Sequence, residues 1–170
     1  MPATPPTDLL TRDSPQGRLV LSGLILGSAV AILDGSVVNV ALRTIGSDLG
    51  ASLAQLQWVV NGYLLALASL VLVGGALGDR LGRRRVYQVG VTWFMVASVL
   101  CALAQSPGQL IALRVLQGVG AALLTPGALA LIQSAFRVED RAAAIGTWAG
   151  VSGVAAAVGP LLGGWLVDHP

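Results

Sequence analysis

The sequence predicts an all-α membrane protein built from five transmembrane helices, and three observations carry that expectation. Hydrophobic residues make up 55% of the chain against 11% charged, and mean hydropathy is +0.78. Five apolar runs are each long enough to cross the roughly 30 Å hydrocarbon core as a helix. The arginines collect in short connections between those runs. A soluble fold of 170 residues could not hide so much apolar surface.

Residues 1–18 hold Pro2, Pro5, Pro6 and Pro15 among scattered polar residues and read as a disordered cytoplasmic tail. The first span is expected over 19–42. It is too long for a signal-peptide core and has no convincing cleavage site after it. Asp34 lies about 15 residues in, or roughly 22 Å from the cytoplasmic end at about 1.5 Å per residue. A carboxylate there costs several kcal/mol unless it meets water, a proton or a cation. Helical phase puts Gly23, Gly27, Ala31, Asp34 and Val38 on one small face, expected toward protein. Leu21, Ile25 and Ile32 fall on the other face, expected toward lipid.

The second span, 56–77, runs into a charged hairpin, Gly75-Ala76-Leu77-Gly78-Asp79-Arg80-Leu81-Gly82-Arg83-Arg84-Arg85-Val86. Gly75, Gly78 and Gly82 permit close approach and left-handed backbone geometry. Asp79 can cap the next helix or hold a nearby arginine. Arginines alone would fix topology, whereas glycines and an aspartate at this spacing point to a gating loop. The third span, 86–104, contains Cys101, the chain's one cysteine.

The fourth span, 109–134, carries Arg114 about five residues from its start, or roughly 8 Å deep. That is nearly the level of Asp34, and Gly118, Ala121, Thr125 and Ala128 form a small face near it in phase. The two charges are therefore expected to pair, with protonation of Asp34 breaking the pair; snorkelling of Arg114 to the interface is the alternative. The fifth span, 142–166, has a stripe of Gly146, Gly150, Gly153, Ala157, Pro160 and Gly164 that suits close helix packing, and Pro160 removes a backbone donor.

Orientation follows from the basic residues. An N-terminus inside places Arg12, Arg18, Arg80, Arg83, Arg84, Arg85, Arg137 and Arg141 in the cytoplasm and leaves only Arg43 outside. The same distribution argues against nucleic acid as a partner despite a pI near 9.3, because no single face is basic. One cysteine and one histidine leave no disulfide framework or metal site. No nucleophile–base set suggests an enzyme, no phosphate-binding Gly-Lys-Ser/Thr segment suggests ATP, and no cofactor is expected.

Together these stretches resemble the major facilitator superfamily, specifically its drug:proton antiporters with fourteen helices, from about Leu33 to Asp168. Gly75, Leu77, Asp79, Arg80, Gly82, Arg83 and Arg84 match the loop motif. Leu110, Arg114, Gln117, Gly118, Gly120, Ala121 and Ala122 match the fourth-helix motif, linked there to proton coupling. Gly146, Gly159, Pro160, Gly163 and Gly164 match the antiporter motif of the fifth helix, with Ala155 at a usual glycine. Leu33, Asp34, Val37, Val38, Asn39, Ala41 and Leu42 resemble the first-helix motif, with Ser36 and Arg43 departing from its usual threonine and proline.

The resemblance implies a helical bundle of that family, in which five spans form an incomplete N-terminal half and residues 167–170 begin a truncated outer loop. It implies Asp34 in binding protons or cationic substrate, and a loop aspartate contacting the missing C-terminal half. The expected function is proton-driven export of hydrophobic or cationic drugs or antibiotics across a bacterial inner membrane, present here as a fragment. The partners are then lipid, protons and the small substrate. A proton-coupled symporter and a non-transporting truncated membrane protein are the alternatives.

Overall fold

The computed structural model describes residues 9–168, and among them every long element is a helix: α1 (Pro15–Leu49), α2 (Leu53–Leu81), α3 (Arg83–Ala102), α4 (Pro107–Ala135) and α5 (Val138–Asp168). All five are long and apolar enough to cross a membrane. Most run past their expected ends, because the helical hydrogen-bond ladder continues into polar turns that an apolar window excludes. In α1 the last turns carry Arg43, Thr44, Ser47 and Asp48. The expected outer loop at 167–170 therefore begins inside α5, and residues 169–170 lie outside the described part.

Local chemistry sets the turns. Ser14 caps α1 by accepting from the Gly17 amide at 3.0 Å, with Pro15 at the first helical position where no donor is needed. Gly50 ends α1 in the left-handed region, φ 61°. Two residues later Ser52 and Gln55 form a reciprocal capping box that opens α2. Gly82 alone separates α2 from α3, at φ 97° and ψ 119°, a backbone state that a side chain would strain.

The packing is centred on α4, with α2 and α3 against it and α1 paired mainly with α5. Backbones approach closely at α4. A Cβ on Gly118 would sit 2.5 Å from the Tyr63 carbonyl oxygen, and one on Gly120 would sit 2.8 Å from the Phe94 nitrogen. The close contact on α2 is Gly74 against the Ala122 backbone, whereas Gly75 has Pro126 as its nearest neighbour at 3.9 Å. The core joins Leu21, Leu24, Tyr63, Tyr87, Phe94, Leu124, Ile132 and Phe136. Outward faces stay apolar, with Leu19, Leu72 and Leu161 largely exposed, as suits a surface solvated by lipid.

Two expectations change here. Leu21, expected toward lipid, is buried, while Gly23, expected against protein, meets open space. The inward stripe of α1 runs through Leu21, Leu24 and Ser28, because Tyr87 and Trp148 bond to Leu24 and Ser28 and fix the rotation of the helix. The expected disordered tail also ends early. Residues 1–8 lie outside the described part, but the Leu10 amide donates to the Ala135 carbonyl at 2.8 Å. The Arg137 amide donates back to the Leu10 carbonyl at 3.1 Å, and the Arg12 amide donates to Asp140. These bonds occupy groups that the α4–α5 turn would otherwise leave open.

Candidate functional site

Asp34 and Arg114 are 80 residues apart and meet inside the bundle. Arg114 Nη1 donates to Asp34 Oδ2 at 2.6 Å, and the two side chains are 3% and 17% exposed respectively. An arginine buried this deeply is not snorkelling. Two further partners come from α2: Nε donates to the Val59 carbonyl at 3.3 Å, and the guanidinium carbon lies 4.4 Å from the centre of the Tyr63 ring.

Gln117, one turn after Arg114, completes the cluster and is fully buried. Its Oε1 accepts a short hydrogen bond from Arg114 Nη1. Its Nε2 donates to Asp34 Oδ1 at 2.8 Å and to Ser98 Oγ on α3 at 2.6 Å. Cys101 Sγ lies 3.9 Å from Gln117 Oε1. Four helices thus contribute to one cluster, in which both oxygens of the Asp34 carboxylate are occupied from α4. Such an arrangement meets the condition for holding a charge pair in a low-dielectric interior. Chemically it can accept one proton at Asp34 while Arg114 keeps three other contacts.

The fifth helix closes on α1 beside this cluster. A Cβ on Gly159 would lie 2.5 Å from Ser36 Cβ, and one on Gly163 would lie 3.2 Å from Val40 Cβ. Both contacts fall within two turns of Asp34. The expected stripe does not make this contact. A Cβ added at Gly146, Gly150, Gly153 or Gly164 would meet nothing within 4 Å, and Pro160 is exposed. The reason is phase: Trp148, Ser152, Ala155 and Gly159 present the side of α5 that meets α1, about 150° from the stripe and so nearly opposite it.

The hairpin holds a second acid–base pair. Arg83 reaches Asp79 at 2.9 Å through Nη2 and 3.0 Å through Nε, and Nη1 donates to the Ala130 carbonyl of α4 at 3.2 Å. Asp79 therefore holds an arginine, and α3 has no side-chain cap. Arg80 and Arg84 are exposed, Gly82 makes the turn, and Gly75 lies near Pro126. The loop and the buried pair are thus two separate clusters on α4, one at Ala130 and one at Arg114 and Gln117.

Sequence reasoning found both members of the buried pair but gave no individual role to Gln117, Ser98 or Tyr63. The spacing of Arg114 and Gln117, three residues on one helix face, was the available signal for Gln117. Ser98 and Tyr63 carry none, since neither residue type is unusual in a membrane helix. Among the described residues no group of three or more His, Cys, Asp or Glu could hold a metal.

Comparison with known proteins gives this geometry a context. Residues 24–170 match the family model described as Major Facilitator Superfamily. The probable actinorhodin transporter of Streptomyces coelicolor is 42% identical, over 96% of this chain and 31% of its own length. The methylenomycin A resistance protein of Bacillus subtilis is 45% identical, over 91% of this chain and 34% of its own length. The crystal structure of a bacterial homologue of the human lysosomal transporter Spinster, in an inward-facing and occupied conformation, superposes with a TM-score of 0.74. It is 26% identical and the match covers 89% of this chain and 32% of that one. The chain spans about a third of the length of these relatives. With its five apolar helices and this match over most of its length, the chain belongs to the major facilitator superfamily.

Proposed function

We propose that this chain supplies the proton-coupling part of a drug or antibiotic exporter in a bacterial plasma membrane, working as a proton antiporter. The observation that carries the proposal is the buried Asp34–Arg114 pair, in which the acid is the more exposed partner and the base has other contacts to fall back on. The names of the relatives, a probable actinorhodin transporter and a methylenomycin A resistance protein, support export of a drug or antibiotic.

In this reading the ionised Asp34 holds Arg114 until a proton arrives. Neutralising the carboxylate removes the Coulomb attraction, and Arg114 stays with Gln117, the Val59 carbonyl and the Tyr63 ring. Asp34 is then the member that moves, and a cationic substrate competes with the proton for the freed carboxylate. Arg12, Arg18, Arg80, Arg83, Arg84, Arg85, Arg137 and Arg141 support an inside location for the N-terminus and the hairpin. The Asp79–Arg83 cluster acts as a gating element in this reading, working against the second half of a full-length transporter, since the relatives are about three times as long.

The test uses the full-length protein containing this chain, reconstituted in proteoliposomes with dye and antibiotic substrates. Antiport predicts substrate movement against an imposed proton gradient, abolished in Asp34→Asn. Substrate moving in the same direction as protons would replace antiport with symport. Transport by Asp34→Asn with an unchanged proton dependence would remove the proposal altogether.

A further inference from the structure

The third helix reaches the charge pair through Gln117, at Ser98 Oγ and more distantly at Cys101 Sγ, 3.9 Å from the amide oxygen. Asp34 is bonded by Arg114 and Gln117, both on α4, and no α3 side chain touches the carboxylate. Ser98 contacts it indirectly, by accepting from the same Gln117 nitrogen that donates to Asp34.

The amide of Gln117 has two N–H donors and one oxygen acceptor. Here the oxygen takes Arg114 and, at 3.9 Å, the Cys101 thiol, one N–H goes to Asp34 and the other goes to Ser98. Turning the amide over would aim its N–H groups at the guanidinium, donor against donor, so Arg114 fixes which end faces the acid. Arg114 does not fix how the amide is tilted about its last bond. Ser98 does, because its contact at 2.6 Å ties the second N–H to α3. With both N–H groups and the oxygen tied to three helices, the donor facing Asp34 stays in line with Oδ1.

We propose that Ser98 is a positioning residue for proton coupling: through Gln117 it keeps a hydrogen-bond donor aimed at the ionised carboxylate of Asp34. This rests on the proton-coupled reading above. Without the hydroxyl, a buried N–H loses its partner and draws the amide away from Asp34, and the carboxylate loses a contact that favours its charged form. The ionisable groups facing Asp34 are Arg114 from α4, Tyr63 from α2 and Cys101 from α3; α5 has none between residues 142 and 165.

The experiment measures the pH dependence of transport in the full-length protein for Ser98→Ala, Ser98→Thr, Gln117→Ala and Asp34→Asn. Membrane abundance is checked for each variant. Ser98→Ala is expected to move the half-maximal pH upward by about half a unit, the size of one weakened hydrogen bond. Ser98→Thr keeps the hydroxyl and should track the wild type. Ser98→Ala should add nothing in a Gln117→Ala background, because its effect passes through that amide. Ser98→Cys, a weak hydrogen-bonding isostere, replaces Ser98→Ala should the latter fail to reach the membrane, and should shift the profile the same way.

A Ser98→Ala profile that overlays the wild type overturns the inference. So does a Ser98→Thr shift as large as that of alanine, or additive shifts in the double variant. Asp34→Asn separates the two levels. If it abolishes pH dependence while Ser98→Ala is silent, only the role of Ser98 is lost. If Asp34→Asn keeps the wild-type profile, the proton-coupled reading falls first.

Discussion

Of the three aspartate–arginine pairs among the described residues, two have nearly the same separation, 2.6 Å for Asp34–Arg114 and 2.9 Å for Asp79–Arg83. Their surroundings differ far more than their geometry. The side chains of the first pair are 17% and 3% exposed, and those of the second 63% and 39%. The hairpin pair lies four residues apart, in the last turn of α2 and the first of α3, while the buried pair joins α1 to α4. Contact distance therefore says little about what an ion pair does. Where water can solvate either charge, separating them is cheap, at about 0.2–1 kcal/mol. Where it cannot, removing one charge strands the other at about 3–5 kcal/mol. In the proposed proton-coupled reading, the buried pair couples a proton to structure because its two charge states differ so much in energy. The exposed pair is cheap to separate, as the proposed gating element needs, and Arg83 also reaches past Asp79 to the Ala130 carbonyl.

The contrast can be broken by substitution, most severely at Arg114. Arg114→Leu removes the cation from beside Asp34, leaves its Oδ2 without a donor and takes the guanidinium from the Gln117 oxygen, and should destabilise the protein by about 3–5 kcal/mol. Thermal unfolding in detergent measures it, and a loss below about 1 kcal/mol would mean the two pairs are energetically alike. Gly159→Leu probes the same pair through its packing. Its Cβ would press on Ser36, two residues from Asp34, and the expected loss is about 1–3 kcal/mol with weakened transport.

Asp34→Asn keeps the shape and one of the two accepting oxygens but loses the charge. Because Arg114 retains its other contacts, we expect a loss of about 1–3 kcal/mol and no proton-driven transport. Asp79→Ala should be mildest, within about 1 kcal/mol, since both side chains stay solvated and Arg83 keeps Ala130. High salt should erase most of the Asp79→Ala effect and little of that at Arg114, a difference read from unfolding at two ionic strengths.

Much of the fold was legible because the bilayer demands one thing of each span: about twenty apolar residues in a helix. Asp34 and Arg114 were legible for the converse reason, as charges at depths where charge is costly. What surrounds them was not. Gln117, Ser98 and Tyr63 become partners through the rotation and register of three helices, which a sequence pattern constrains only loosely. The phase of α1 was misjudged at Leu21 and Gly23 because small and bulky residues mix on both of its faces, and bonds from Tyr87 and Trp148 decide the rotation. On α2, adjacent Gly74 and Gly75 are interchangeable in a sequence, yet only Gly74 meets the Ala122 backbone. The stripe on α5 was legible as a pattern, but Gly159 and Gly163 form the surface that α1 touches. Backbone bonds at Leu10 leave no mark on composition, so residues 9–14 read as tail although their partners lie at Ala135 and Arg137.

The central claim is that Asp34 changes charge during transport, and infrared difference spectroscopy of the full-length protein tests it most directly. Acidification across the pH range where transport changes should raise a protonated-carboxyl stretch in the wild type that is missing in Asp34→Asn. A wild-type spectrum with no such band over that range, or the same band surviving in Asp34→Asn, would contradict the account.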